Sequence, residues 1–155
     1  MSDRDLPWEG GCRCGKVRIA VSAPPLLTMA CHCTGCQRMT GGAFSVSSFY
    51  PADRFAVTSG RTIRGGMKTG PDHEFCPECL SWMFTTAEEI DGFVNVRSTM
   101  FDDAPAHKPY VEMCVSEAMP GAKSGAVRSY DGFPQESEFP ELIASYAAWD
   151  GRVKQ

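Results

Sequence analysis

The sequence predicts a mainly β protein with one helix near its C-terminus. Three observations support this prediction. Short alternating or β-branched runs recur along the chain, Gly and Pro separate them, and a helical spacing of apolar residues occurs over Pro140–Asp150. The 155 residues are enough for one domain with a core of its own, and we expect that domain to span 1–155.

Seven segments carry strand signals. In Lys16–Ser22, three β-branched residues alternate with other residues, which is typical of a strand with one buried face. Ala43–Tyr50 is rich in aromatic residues, Ser and Val, and it ends at a proline. The other predicted strands are Arg54–Thr58, Arg61–Arg64, Trp82–Thr86, Phe93–Arg97 and Tyr110–Val115. Glycine pairs at 10–11, 41–42 and 65–66 are expected at turns.

The last quarter of the sequence has a different character. Ala118–Gly132 is small and polar without periodicity, which predicts a loop. Pro140 suits the first turn of the helix that follows. The apolar residues of this helix fall on one side, which predicts packing against the sheet, with partner binding as the alternative: they are Leu142, Ile143, Tyr146 and Trp149.

Charge and hydropathy exclude several classes of protein. The net charge of −4 and the pI near 5.3 argue against a dedicated nucleic-acid binder. No run approaches the roughly 20 apolar residues that span a bilayer, and the polar N-terminus lacks the apolar core of a secretory signal. The expected compartment is therefore the reducing cytoplasm, where clustered cysteines favour metal binding or catalysis over disulfides.

Seven of the eight cysteines fall into three clusters. They are Cys12 and Cys14, then Cys31, Cys33 and Cys36, then Cys76 and Cys79. A structural zinc usually takes four protein ligands, whereas a catalytic zinc takes three and keeps one position open. A division into four and three therefore predicts two zinc ions per chain, one in a closed site and one in an open site.

The two outer pairs are expected to share the closed site. Cys12 and Cys14 are one residue apart and cannot complete a tetrahedron, so Cys76 and Cys79 are their natural partners. The latter pair runs into a strand-like segment, which is typical of a zinc knuckle. The alternative, a redox dithiol, usually opens a helix.

The central cluster is expected to form the open site. Cys31, Cys33 and Cys36 lie within six residues, so one loop can wrap three thiolates around one ion. Three thiolates reduce the Lewis acidity of zinc, which favours activation of an added thiol over activation of water. The alternative is a second structural site, completed by His32, His73 or Cys114.

Two further residues near the clusters have predicted roles. His32 lies between two ligands, so its side chain is expected to point away from their metal and to orient the loop through a hydrogen bond. A general acid–base role is the alternative. Cys114 falls on a predicted strand, where a buried and unreactive thiol is expected.

These motifs together resemble the glutathione-dependent formaldehyde-activating enzyme family, also called the GFA or centromere protein V domain family. The matching elements are GGCRCGKVR at 10–18, CHCTGCQR at 31–38 with Gly41 and Gly42, FCPEC at 75–79 and TMFDDAP at 99–105. The resemblance covers residues 8–120. The loop and helix of 121–155 lie outside the family pattern.

The resemblance implies several coiled antiparallel β-sheets clamped by zinc. It implies a structural zinc held by Cys12, Cys14, Cys76 and Cys79, and a catalytic zinc held by Cys31, Cys33 and Cys36. Enzymes of the family join glutathione to formaldehyde, which classes them as carbon–sulfur lyases in the reverse sense. Glutathione would then take the open zinc position and attack the aldehyde carbon, with Arg38 pairing with its carboxylates.

Two alternatives to this enzyme remain open. One is a non-enzymatic zinc-binding domain that binds a protein or a small ligand. The other is a redox enzyme resembling B-type methionine sulfoxide reductase, in which Cys114 would be the reactive thiol. The chain also departs from the family at Leu80-Ser81, where Gly-Ser is common, so the turn beside the structural zinc is in question.

Overall fold

The computed structural model describes residues 5–153, so the first four residues of the polar N-terminus and the last two residues lie outside it. Within that range the chain forms eleven strands and two α-helices, as the sequence predicts for a mainly β protein. The strands are β1 Trp8–Gly11, β2 Arg18–Val21, β3 Leu27–Cys31, β4 Ser45–Pro51, β5 Phe55–Ser59, β6 Ile63–Gly65, β7 Asp72–Phe75, β8 Trp82–Thr86, β9 Phe93–Arg97, β10 Val111–Met113 and β11 Arg128–Ser129. The helices are α1 Thr34–Thr40 and α2 Phe139–Ala148.

The strands form two sheets. The smaller sheet has the order β1-β2-β5, and the larger has the order β11-β10-β3-β4-β9-β8-β7-β6. The expected antiparallel pairing holds for most neighbours. The exception is β10, which runs parallel to both β3 and β11. Parallel neighbouring strands need a long connection. Here the connection between β3 and β10 comprises all the elements from α1 through β9.

All seven predicted strands are present, two of them with the predicted bounds, β8 and β9. The sequence patterns did not indicate β1, β3, β7, β11 or α1. Strand β3 is buried along most of its length and shows no alternation. Strand β11 lies inside the predicted loop and depends on its pairing with β10. Helix α1 has no buried residue and therefore no apolar stripe, and it ends at Gly41 with φ of 65°.

Gly10 and Gly11 lie in strand β1, so the expectation of a turn at this pair is wrong. Gly10 forms an isolated antiparallel bridge with Phe101. A Cβ atom on Gly10 would lie 2.3 Å from the carbonyl oxygen of Met100. Glycine is therefore needed here because two backbones approach closely.

The predicted C-terminal helix is confirmed, and it packs on the sheet. Leu142 and Tyr146 of α2 are buried in one cluster with Leu27 of β3 and Val111 of β10. Burial of each such side chain contributes about 1.5–3 kcal/mol. Neither described helix is long and apolar enough to cross a lipid bilayer.

Candidate metal centres and the adjoining cavity

The turn between β1 and β2 meets the turn between β7 and β8. The Sγ atoms of Cys12, Cys14, Cys76 and Cys79, here called the four-cysteine group, all lie within 4.8 Å of one another. Cys14 Sγ is 3.5 Å from Cys12 Sγ and 3.8 Å from Cys76 Sγ. Four sulfurs placed tetrahedrally at about 2.3 Å from zinc are about 3.8 Å apart. The group therefore fits one tetrahedral ion.

Hydrogen-bond donors surround the four-cysteine group. The backbone N–H of Val17 donates to Cys12 Sγ at 3.3 Å, and the Ser81 hydroxyl lies 3.2 Å from Cys79 Sγ. The Ser81 contact is the main cause that lowers the pKa of Cys79 to about 5. Because the thiolate is the form that binds metal, these donors favour the ligating state.

A hydrogen-bonded turn follows Cys79 even though Leu80 stands where the family commonly has glycine. Leu80 has a left-handed φ of 57°, and the turn is closed by hydrogen bonds from Leu80 N–H to Cys76 O and from Cys76 N–H to Ser81 O. Leucine therefore occupies a conformation that usually favours glycine. The departure from Gly-Ser leaves the turn intact.

Cys31, Cys33 and Cys36 form the three-cysteine group. Cys31 ends β3, Cys33 precedes α1 and Cys36 lies in its first turn. Their Sγ atoms lie within 4.8 Å of one another, and Cys36 N–H donates to Cys33 Sγ at 3.3 Å. Contact with the Cys31 thiol, supported by the Ser45 hydroxyl, lowers the pKa of Cys36 to about 5. The group offers three ligand atoms, one fewer than the four-cysteine group.

His32 turns its ring towards Glu112 of β10. Its side chain is 1% exposed, and His32 Nε2 lies 2.9 Å from Glu112 Oε2. The hydroxyls of Ser124 and Ser129 each donate to the same carboxylate at 2.6 Å. Burial alone would raise the pKa of Glu112, but these three partners together lower it. The three-cysteine segment is thereby tied to β10 and to the chain around β11.

The other two candidate fourth ligands also lie outside the three-cysteine group. His73 lies on the wall of the neighbouring cavity, and its Nδ1 is 2.9 Å from Thr85 Oγ1. Cys114 is 3% exposed, as expected for a buried thiol. Burial raises the pKa of Cys114, and contact with the Cys31 thiol partly opposes this shift.

A cavity of about 340 Å³, here called the cysteine cavity, opens beside the three-cysteine group. The three cysteines form part of its wall, so an ion held by them would be reachable from the cavity. Most of the exposed wall is apolar. The large apolar side chains that line it are Met29, Met39, Met67, Trp82, Met113 and Phe133.

Arg97 places a buried positive charge on the wall of the cysteine cavity. Its side chain is 5% exposed, its Cζ atom lies 4.0 Å from the centre of the Trp82 ring, and Nη1 donates to Ser45 Oγ at 3.3 Å. Burial lowers the pKa of Arg97 to about 10, so the guanidinium is still charged at neutral pH. It supports the negative charge of the nearby thiolates.

The match with a family model decides the family. Residues 7–117, well over half of the chain, match the model described as glutathione-dependent formaldehyde-activating enzyme, GFA. The chain belongs to this family. The GFA match includes all seven clustered cysteines and Arg97, and it ends before β11, Phe133 and α2.

A solved structure shares the fold of this GFA-family chain. It is the crystal structure of a Rhodobacter sphaeroides protein, which superposes on this chain with a TM-score of 0.50. The sequences of the two proteins are 19% identical. The similarity covers 61% of this chain and 88% of that chain. A search of curated proteins finds no match.

Arg38 lies apart from the cysteine cavity. It is exposed on α1 and is not among the residues of the cavity wall. A contact between Arg38 and a substrate carboxylate therefore stays a prediction. Several other basic residues form ion pairs, among them Lys16 with Glu78, Arg18 with Asp102 and Arg64 with Asp72.

Sequence reasoning missed Arg97 although it predicted the strand that carries it. Val94 and Val96 face the core, so Asn95 and Arg97 share the opposite face of β9. That polar face within a strand was the available signal. The polar face could not be recognised as part of a cavity wall without knowing that β9 pairs with β8, which carries Trp82.

Proposed function

We propose that this GFA-family protein is a zinc-dependent carbon–sulfur lyase that joins a thiol such as glutathione to formaldehyde or a related aldehyde. The observation that carries the proposal is the three-cysteine group on the wall of the cysteine cavity. Zinc bound there by three thiolates would keep a position for an incoming thiol and hold it as the nucleophilic thiolate.

The four-cysteine group supports a separate structural role for a second zinc ion. Two of its members, Cys12 and Cys76, are buried in the core cluster around β1, β2 and β8. Its four sulfurs fill a tetrahedron, which leaves no position for substrate. The reaction would then be confined to the three-cysteine group, in a reducing compartment such as the cytosol where thiols persist.

Zinc counting and an adduct assay test the proposal together. The parent should carry two zinc ions per chain, and Cys33→Ser should carry one while keeping its fold. Formation and breakdown of the glutathione–formaldehyde adduct are followed by NMR exchange spectroscopy, with a buffer control because formaldehyde adds to thiols unaided. The rate of adduct exchange with the parent should exceed the rate in buffer, whereas the rate with Cys33→Ser should equal the rate in buffer.

Cys114→Ser is the matched control, since Cys114 is a buried thiol beside Cys31 but outside the three-cysteine group. It should keep both zinc ions and the activity of the parent. Loss of one zinc ion in this variant would mean that Cys114 closes the site. Equal adduct rates for the parent and buffer would favour a non-enzymatic zinc domain.

A further inference from the structure

Two buried polar atoms on the wall of the cysteine cavity lack partners. Asn95 Oδ1 and Arg97 Nε have no hydrogen-bond partner within residues 5–153. Both residues line the cavity from the same face of β9. Native proteins usually pair buried polar atoms with protein groups or ordered water, so this acceptor and this donor make the β9 part of the wall suited to a polar ligand group.

The rim of the same cavity is apolar and exposed. Met67 lies between β6 and β7 and is 67% exposed, whereas Phe133 follows β11 and is 70% exposed. Single exposed apolar residues are ordinary on protein surfaces. Here two of them come from distant segments to one cavity that is already lined by methionine and tryptophan. Such a surface favours an apolar ligand group.

The charges of the wall limit the ligand further. Apart from the thiolates of the three-cysteine group, Arg97 is the only Asp, Glu, Lys or Arg residue among the described residues that line the cavity. The wall therefore suits one anionic or strongly polar oxygen together with an apolar group. Formaldehyde would supply the oxygen and leave the apolar wall without contacts.

We infer that the cysteine cavity receives the aldehyde half of the adduct, and that the preferred aldehyde carries an aliphatic or aromatic substituent. This inference rests on the proposed function. The substituent lies against the methionines, Trp82 and Phe133. The oxygen accepts a hydrogen bond from Arg97, and its hydroxyl in the adduct donates to Asn95.

The reaction balances without an oxidant or a reductant. The thiol sulfur forms a bond to the aldehyde carbon, and the π pair of the carbonyl moves to its oxygen. That oxygen takes up the proton released by the thiol, which gives a hemithioacetal. Arg97 stabilises the negative charge that develops on the oxygen before it is protonated.

An aldehyde series tests the substrate class in the zinc-loaded protein. Rates with glutathione are measured for formaldehyde, butanal and benzaldehyde, each relative to buffer. We expect kcat/KM for the two larger aldehydes to exceed that for formaldehyde by about 10-fold or more. Met67→Ser and Phe133→Ser should lower the rates for butanal and benzaldehyde far more than the rate for formaldehyde, and so remove most of this preference. Met119→Ser is the matched control, because Met119 is also exposed but is not part of this wall.

A binding measurement provides a readout that does not depend on turnover. By calorimetry, S-benzylglutathione should bind the parent about 10-fold more tightly than S-methylglutathione, and Phe133→Ser should equalise the two. Equal affinities in the parent would overturn the inference. Acceleration of formaldehyde only would overturn the inference and leave the proposed function standing, whereas acceleration of no aldehyde would overturn both.

Discussion

The four-cysteine group joins two distant turns, with Cys14 and Cys76 separated by 62 residues, whereas the three-cysteine group comes from one short segment. The first has two members buried in the core, and the second lines a cavity. A metal that closes a long loop constrains the unfolded chain and contributes to folding. The same thiolate chemistry therefore suits stability in one place and reaction in the other.

The largest effect is expected for Cys76→Ser. Cys76 is fully buried, and loss of one ligand would release the structural zinc, whose binding free energy in small domains is about 10 kcal/mol or more. We expect poor soluble yield, one zinc ion fewer per chain and a Tm lowered by more than about 10 °C. Thermal unfolding measures the change in Tm, and metal analysis measures the number of zinc ions per chain.

Cys33→Ser is the matched control, because it makes the same chemical change in the three-cysteine group. Its Tm should stay within about 5 °C of the parent. A Cys76→Ser protein as stable as Cys33→Ser would remove the distinction between the two groups.

A chelator should remove zinc from the three-cysteine group faster than from the four-cysteine group. One zinc ion per chain should leave early, because the three-cysteine group is open to the cavity, and the other should leave about 10-fold more slowly or only on unfolding. A colorimetric chelator reports release, and circular dichroism reports the fold. Cys33→Ser should lack the early phase. A single phase that coincides with unfolding would contradict the comparison.

A smaller effect is expected for Glu112→Gln. This substitution weakens the hydrogen bond between Glu112 and His32, which holds the three-cysteine segment against β10. Loss of charge-assisted hydrogen bonds should lower stability by about 1–3 kcal/mol at pH 7. Because folding lowers the pKa of Glu112, its contribution is present above about pH 4.5 and is lost as the pH falls further. The deficit of the variant should therefore be constant from pH 5 to 8 and shrink below this range.

Glu136→Gln provides the control for that experiment, because Glu136 is exposed and lies outside the Glu112 network. It should change the free energy of unfolding by less than about 0.5 kcal/mol. Equal losses in the two variants would mean that the Glu112 network does not stabilise the protein.

Local spacing explains what was predictable from the sequence. The three cysteine clusters, strands β8 and β9, and helix α2 each depend on residues close together in the chain. The union of the two outer clusters in the four-cysteine group was predicted from the number of ligands that zinc takes. Arg97 was missed because its burial depends on Trp82 of the neighbouring strand. Strand β11 was missed because two residues form a strand only beside β10. Contacts between distant segments leave little trace in local patterns.

Leu80→Gly should have the smallest effect, and it changes the turn that follows Cys79 of the four-cysteine group. The left-handed conformation costs leucine about 1–2 kcal/mol, whereas glycine adds about 0.4–1 kcal/mol of freedom to the unfolded chain. Leu80 is 64% exposed, so little packing is lost. We therefore expect a stabilisation of up to about 1 kcal/mol, a rise in Tm of about 2–4 °C, and unchanged activity. Leu80→Ala keeps the strained Cβ and should not raise Tm. An equal rise in both variants would assign the gain to the lost apolar surface instead of the turn, and a fall in Leu80→Gly would mean that the leucine side chain stabilises this site.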